Sequence, residues 1–180
     1  MNDVTVITAS LPDRGRLRED AIQSVASQTM PPSDHLIGID YQRVGGWRVR
    51  NLLVSQVETK WVQILDDDDL LLPNHLATML DYSGAGADIV YSYADVVGDK
   101  SFDLYNRPFD GNLLRTSSIV SHAAFVRTEL ILDLGGWDNQ KGYDWTFWVK
   151  ALDAGAQFLS VPEKTWIYRL TPEWNHESRP

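Results

Sequence analysis

The chain has 180 residues, a formal net charge of −9, a hydrophobic share of 43% and a charged share of 23%, the balance of one soluble globular domain. That acidity excludes an extended duplex nucleic-acid interface and electrostatic docking on anionic lipid, and the absence of Cys excludes disulfides and thiolate metal sites. No apolar segment approaches membrane-spanning length and Met1-Asn2-Asp3 leads straight into a strand pattern without a signal-peptide core, so a cytoplasmic protein with no transmembrane segment is expected.

Val4 to Thr8 is a β-branched run that reads as a buried strand. After the Pro/Asp/Gly loop 9–15, Leu17, Ala21, Ile22, Val25 and Ala26 share one face of a helix that stops at Met30-Pro31-Pro32. His35 to Asp40 predicts a second strand, and Arg48 to Val57 a helix behind Gly45-Gly46. Trp61 to Leu65 is a third strand, Pro73 to Tyr82 a helix with Pro at its first position, and Asp88 to Ser92 a fourth strand. Periodicity is weak over 97–116, which predicts loop or short strands. A strand over Ile119 to Val126, a short helix over Thr128 to Leu134, a helix over Asp144 to Ala154 and two strands, Gln157 to Val161 and Thr165 to Leu170, follow, with a polar, loose tail over 171–180. Strand–helix alternation in the first half predicts a single α/β domain built on a mostly parallel central sheet flanked by helices.

Ligands bind such sheets outside the carboxyl ends of their strands. Ser10, Asp13 and Arg14 follow the first strand, Asp40 ends the second, and Asp66 to Asp69 follow the third. The four consecutive carboxylates stand between two apolar runs, Trp61 to Leu65 and Leu70 to Pro73. Adjacent like charges repel and lose hydration beside a core, so something positive must sit there, and an oxygen-rich site suits a hard cation such as Mg²⁺ or Mn²⁺. The bland alternative is a solvated acidic turn. Asp40 is equally a base-recognising carboxylate or a turn former. Arg48 and Arg50, near a helix start, make either an anion site or an exposed helix face. Asp144 opens a helix among Trp137, Tyr143, Trp145 and Trp148, aromatic faces that can cover a sugar or simply form core. His122 and His176 are possible further metal ligands, though a lone His is more often structural. Neither phosphate-cradling glycine motif nor a G-x-S-x-G elbow is present.

In order, Val4 to Ser10, Val49-Arg50-Asn51, Leu65-Asp66-Asp67-Asp68-Asp69 with Pro73, Gly135-Gly136-Trp137-Asp138 with Gly142-Tyr143-Asp144-Trp145, and Trp166-Ile167-Tyr168-Arg169 resemble the motifs of the family-two glycosyltransferases. The resemblance covers nearly the whole chain. It implies the nucleotide-diphospho-sugar transferase (A-type glycosyltransferase) fold, with a nucleotide-sugar-binding half over about 1–95 and an acceptor half over about 96–170. It implies an inverting, metal-dependent hexosyltransferase-like enzyme that takes a nucleotide-diphosphate sugar to a glycan, lipid or protein hydroxyl. By the same resemblance Asp144 is the general base. Ser10, Arg14, Asp40, Arg50, Asn51, Asp66 and Asp67 bind the nucleotide sugar. Asp68 and Asp66, with His176, hold Mn²⁺ or Mg²⁺, and Trp137, Tyr143 and Trp145 face the acceptor. Two positions depart from the family: Tyr143 stands where it has Glu, and Leu11-Pro12 where it has aromatic-Asn. A nucleotide-sugar-binding module without catalysis, and a nucleotidyltransferase, are the competing readings.

Overall fold

The computed structural model describes residues 3–98, 105–140 and 142–170. Elements run β1 (Val4–Ser10), α1 (Gly15–Ala26), β2 (Asp34–Ile39), α2 (Gly46–Val54), β3 (Trp61–Ile64), β4 (Leu70–Leu71), α3 (His75–Ser83) and β5 (Ile89–Gly98) in the first half. The second half adds α4 (Gly111–Leu114), β6 (Phe125–Arg127), α5 (Thr128–Asp133), α6 (Tyr143–Asp153) and β7 (Phe158–Leu170). The expected tail, with His176, lies outside the described residues, as does part of the expected loop 97–116.

Seven strands form one sheet in the order β2-β1-β3-β6-β5-β7-β4. The β2-β1-β3 half is parallel, as its alternating helices require. The other half is mixed: β6 runs antiparallel to both β3 and β5, β5 and β7 are parallel, and β4 is antiparallel to β7. Five of the seven strands, β1, β2, β3, β5 and β7, thus run the same way and β6 and β4 run against them, so the sheet is mostly parallel in strand direction.

Both faces of the sheet are covered, so its inner strands read as near-continuous apolar runs. Period-two alternation sorts them. Val4, Val6, Trp61, Leu65, Val90 and Ala94 join Ala21, Val25, Leu76 and Met79 on the α1/α3 face. Ile7, Val62, Ile64, Ile89 and Tyr91 join Val49, Leu53, Ile131, Phe147 and Trp148 on the α2/α5/α6 face. The approach of α2 to β2 is close enough that a Cβ on Gly38 would meet Val49 Cγ1 at 2.3 Å. That glycine fixes how deep α2 sits, and with it the residues that α2 carries into the site.

The two strands expected at the end of the chain are one. β7 continues through Pro162 because the ladder with β5 slips between Ser92/Tyr93 and Tyr93/Ala94, and such a bulge tolerates a proline. Next to the slip, Thr165 turns inward and joins a buried polar chain. Its hydroxyl lies 2.6 Å from Ser92 Oγ and 2.7 Å from His75 Nδ1, and His75 Nε2 lies 2.8 Å from Gln63 Oε1. The amide oxygen can only accept, so His75 donates from Nε2 and accepts at Nδ1. Burial keeps this imidazole neutral, with its pKa pushed down to about 3. The chain ties α3, β3, β5 and β7 together directly behind the acidic turn. Thr165→Val keeps the shape but strands His75 and Ser92, and is expected to cost about 1–3 kcal/mol in urea unfolding.

Candidate active site

The acidic turn is held from both sides. Leu65 N donates to Ile7 O at 3.0 Å, Asp69 N to Asp66 O at 3.2 Å, and Leu72 N to Thr165 O at 2.9 Å, while Leu70 and Leu71 pair with β7 as β4. Two residues are too short a strand for a sequence pattern to reveal, yet they fix where the carboxylates point. Asp67, Asp68 and Asp69 are buried, and Asp66 is partly open.

Each carboxylate of the turn has a cationic partner from this chain. Arg14 spans two of them: Nη1 donates to Asp67 Oδ1 at 2.6 Å and Nη2 to Asp68 Oδ2 at 2.7 Å. Asp67 accepts a further bond from Ser10 Oγ at 2.7 Å, and burial still pushes its carboxyl up to about 6. Asp69 is bonded to His122 Nε2 at 2.6 Å and accepts from Arg169 N at 2.9 Å. The Arg169 side chain donates to Asp68 O and, at 2.8 Å, to Asp20. Asp66 takes one arm of Arg50, and the other arm donates to Asp144 Oδ1. The positive charge that the acidic run demands is thus built in, four side chains deep.

Arg50 is 1% exposed. It leaves the buried face of α2, and Tyr143 and Trp137 present their rings to its guanidinium at 5.2 and 5.8 Å. Burial opposes its charge, but Asp144 and Asp66 keep its pKa well above the ordinary value. Asp144 comes from the first turn of α6, whose N-cap is Gly142 in the left-handed conformation rather than Asp144 itself. Its carboxylate is therefore free of capping and turns to Arg50. Asp144 Oδ2 has no hydrogen-bond partner among the described residues, and Asp144 lines the cleft.

Several expected ligand-facing residues also have partners within the chain. Asn51 clasps the Trp137 backbone, donating to its O at 2.7 Å and accepting from its N at 3.0 Å. Gly136 must be glycine there, since its φ is +70° and a Cβ would stand 2.2 Å from Asn51 Oδ1. The Trp137 ring is buried in the core against Phe147, at 4.9 Å between centroids, and gives no face to an acceptor. Asp40 forms a turn, its two oxygens accepting from Val44 N at 3.0 Å and Gly45 N at 2.8 Å. Asp67 and Ser10 bond each other, and Arg50 is enclosed between its two carboxylates. Arg48 is exposed and stacks on Trp47 at 5.0 Å, the helix-face alternative.

A cavity of about 160 Å³ among the described residues is lined by Asp66, Asp68 and Asp144 together with His122, Tyr105 and Trp145, and Tyr168 and Arg169 complete its rim. Tyr105, Tyr168 and Arg169 were not singled out from sequence as ligand-facing. Tyr105 lies in the stretch of weak periodicity, while the Trp166-Ile167-Tyr168-Arg169 run did carry a signal. Trp145 faces the cavity as expected and anchors through Nε1 to Leu114 O at 2.6 Å. Tyr143 stands against Arg50.

His122 packs edge-on against Trp166 and Tyr168, each 5.3 Å away. Burial works against its imidazolium, but Asp66, Asp69 and Asp144 outweigh it and hold the pKa up at about 9. A folded-state pKa above the unfolded value of about 6.5 gives stabilisation that is complete below pH 6.5 and is lost as pH rises through 9. The melting temperature should therefore fall between those limits, and His122→Gln should flatten that slope.

No protein-family model and no curated protein sequence matches the chain. Solved structures do. The TarS 1-349 fragment of S. aureus in complex with UDP-GlcNAc matches with a TM-score of 0.77 and 16% identity, over 100% of this chain and 62% of that one. The same fragment in complex with UDP gives 0.77 and 15%, over 96% and 62%. The mannosyltransferase PcManGT from Pyrobaculum calidifontis, in complex with GDP-Man and Mn²⁺, gives 0.72 and 18%, over 97% and 59%. The chain thus spans about three-fifths of the length of these structures. Among the described residues no helix is long and apolar enough to cross a membrane. The likeness, at these identities, is one of fold: the chain has the A-type glycosyltransferase fold.

Proposed function

We propose that the chain is the catalytic domain of a metal-dependent, inverting glycosyltransferase that moves a sugar from a nucleotide-diphosphate donor to an acceptor hydroxyl of a glycan, lipid or protein. One observation carries the reading: Asp66 and Asp68 from the β3 turn and Asp144 from α6 line the same cavity, with Asp66 and Asp144 held on one guanidinium. The UDP, UDP-GlcNAc and GDP-Man complexes of the structural neighbours support a uridine or guanosine diphosphate sugar as donor.

The residues present suit a hard divalent ion. Asp66 and Asp68 offer carboxylate oxygens, and no group of three or more His, Cys, Asp or Glu is arranged to hold a metal among the described residues. Mg²⁺ is commonly bound by one or two carboxylates, with substrate phosphates and water completing the shell. Asp68, with Asp66, would hold the ion, which when bound offsets charge on the departing diphosphate. The neighbour with GDP-Man and Mn²⁺ supports this choice.

Asp144 is the general base in this reading. With Oδ1 fixed by Arg50, Oδ2 accepts the acceptor's hydroxyl proton as the new glycosidic bond forms and the bond from the anomeric carbon to the diphosphate breaks. A single displacement of this kind inverts the anomeric centre. Arg50 is a positioning residue, since it meets the base and not the substrate. Ser10 and Arg14 shape the floor beneath the diphosphate.

Release of nucleoside diphosphate from UDP- and GDP-sugars with Mn²⁺ tests the reading. Asp144→Asn keeps an oxygen for Arg50, so the fold and the nucleotide affinity should hold while release drops about 10²–10⁴-fold. Asp68→Ala should lose metal-dependent nucleotide binding in calorimetry. Pyrophosphate as product, or undiminished turnover by Asp144→Asn, contradicts it.

A further inference from the structure

Resting on the transferase reading, the geometry points further, to how the site admits its cation. The Arg14 fork covers two successive carboxylates that are nearly closed to water, with side-chain exposures of 2% for Asp67 and 6% for Asp68. The two are not equivalent. Asp67 is also bonded to Ser10 and sits beneath the turn. Asp68 reaches the cleft, and its side chain is hydrogen-bonded through Oδ2 to Arg14. A divalent ion approaching Asp68 therefore meets a guanidinium 2.7 Å from one of the two oxygens of that carboxylate. Like charges so close, in a site shielded from water, oppose one another strongly.

We propose that Arg14 is an internal counter-ion that keeps Asp68 closed to a lone divalent cation and yields it when the cation arrives with a nucleoside diphosphate, whose phosphate oxygens give the guanidinium a replacement partner. Arginine binds phosphate and carboxylate with the same planar fork, so the exchange costs little when phosphate is present, whereas without phosphate the Arg14–Asp68 ion pair is broken with no replacement for it. Linkage makes the effect reciprocal: cation and nucleotide each tighten the other by the same factor. The site would then fill as a unit and would not collect stray cations.

The test is calorimetric titration of Mn²⁺, with bound Mn²⁺ followed by electron paramagnetic resonance, into the wild-type chain alone and with UDP or GDP present. Wild type should bind Mn²⁺ alone at least about tenfold more weakly than in the presence of the nucleotide. Arg14→Gln should bind Mn²⁺ alone at least about tenfold more tightly than wild type, and should bind nucleotide less well. Arg14→Lys, which keeps the charge but not the fork, should fall between them. Mn²⁺ bound to wild type as tightly alone as with nucleotide overturns the proposal and leaves the transferase reading standing. An Arg14→Gln variant that folds yet binds Mn²⁺ no better overturns it as well. No nucleotide bound by any variant, with or without Mn²⁺, overturns the exchange and the transferase reading together, and is told apart from the first outcome by the absence of a nucleotide binding heat. Should neither variant fold, the wild-type pair of titrations decides.

Discussion

A single buried guanidinium, that of Arg50, joins the two halves of this molecule at the place where its chemistry is proposed to occur. It reaches from α2 to Asp66 at the end of β3 and to Asp144 at the start of α6. The next residue, Asn51, clasps the Trp137 backbone, which precedes α6 in the chain. Two adjacent side chains of one helix thus hold both the acidic turn and the start of α6. The depth of α2 depends in turn on Gly38, which lets Val49 close on β2. Burying a guanidinium is costly, and such pairs are often no better for stability than apolar residues of the same size. Holding Asp66 and Asp144 on one fork, with Tyr143 and Trp137 against it, fixes a geometry that apolar residues could not specify.

The same logic extends along the acidic turn. Four carboxylates in a row beside a core would repel one another, yet Arg50 answers Asp66, Arg14 answers Asp67 and Asp68, and His122 with the Arg169 backbone answers Asp69. The turn is thereby rigid, with its oxygens aimed by partners whose own positions come from α1, α2, the segment before β6, and β7. Such preorganisation lets a site stabilise charge that develops during a reaction without rearranging first. Tyr105, His122 and Tyr168 add a cluster of rings to the lining of the same cavity.

Local pattern revealed the first half well because its strands and helices are long and regularly spaced. Val4 to Thr8, Trp61 to Leu65 and the α1 and α2 faces all stand within a few residues of where periodicity put them. It fared less well where pairing partners lie far apart in the chain. Leu70–Leu71 is a strand only because β7 lies beside it, and β7 is unbroken at Pro162 only because a bulge absorbs the proline. Buried Ile119, Val120 and Ala124 read as strand, but only Phe125–Arg127 finds partners, in β3 and β5. The acidic turn and Asp144 were legible as a pair of sites, since carboxylates next to a core need an explanation. What answers those carboxylates was not legible. Arg14, Arg50 and His122 lie from 16 to 94 positions away from the groups they meet. The same long-range packing drew Trp137 into the core, whereas Asp40 meets backbone only four and five residues on, the turn-forming contact that its residue type suggests.

The most direct measurement of the Arg50 bridge is a double-mutant cycle in urea unfolding with Arg50→Met, Asp144→Ala and the pair together. If the guanidinium holds Asp144 as described, the double variant loses less than the sum of the single losses, by about 1 kcal/mol or more. Losses that add to within about 0.5 kcal/mol would show that the two residues act independently, and would contradict the account.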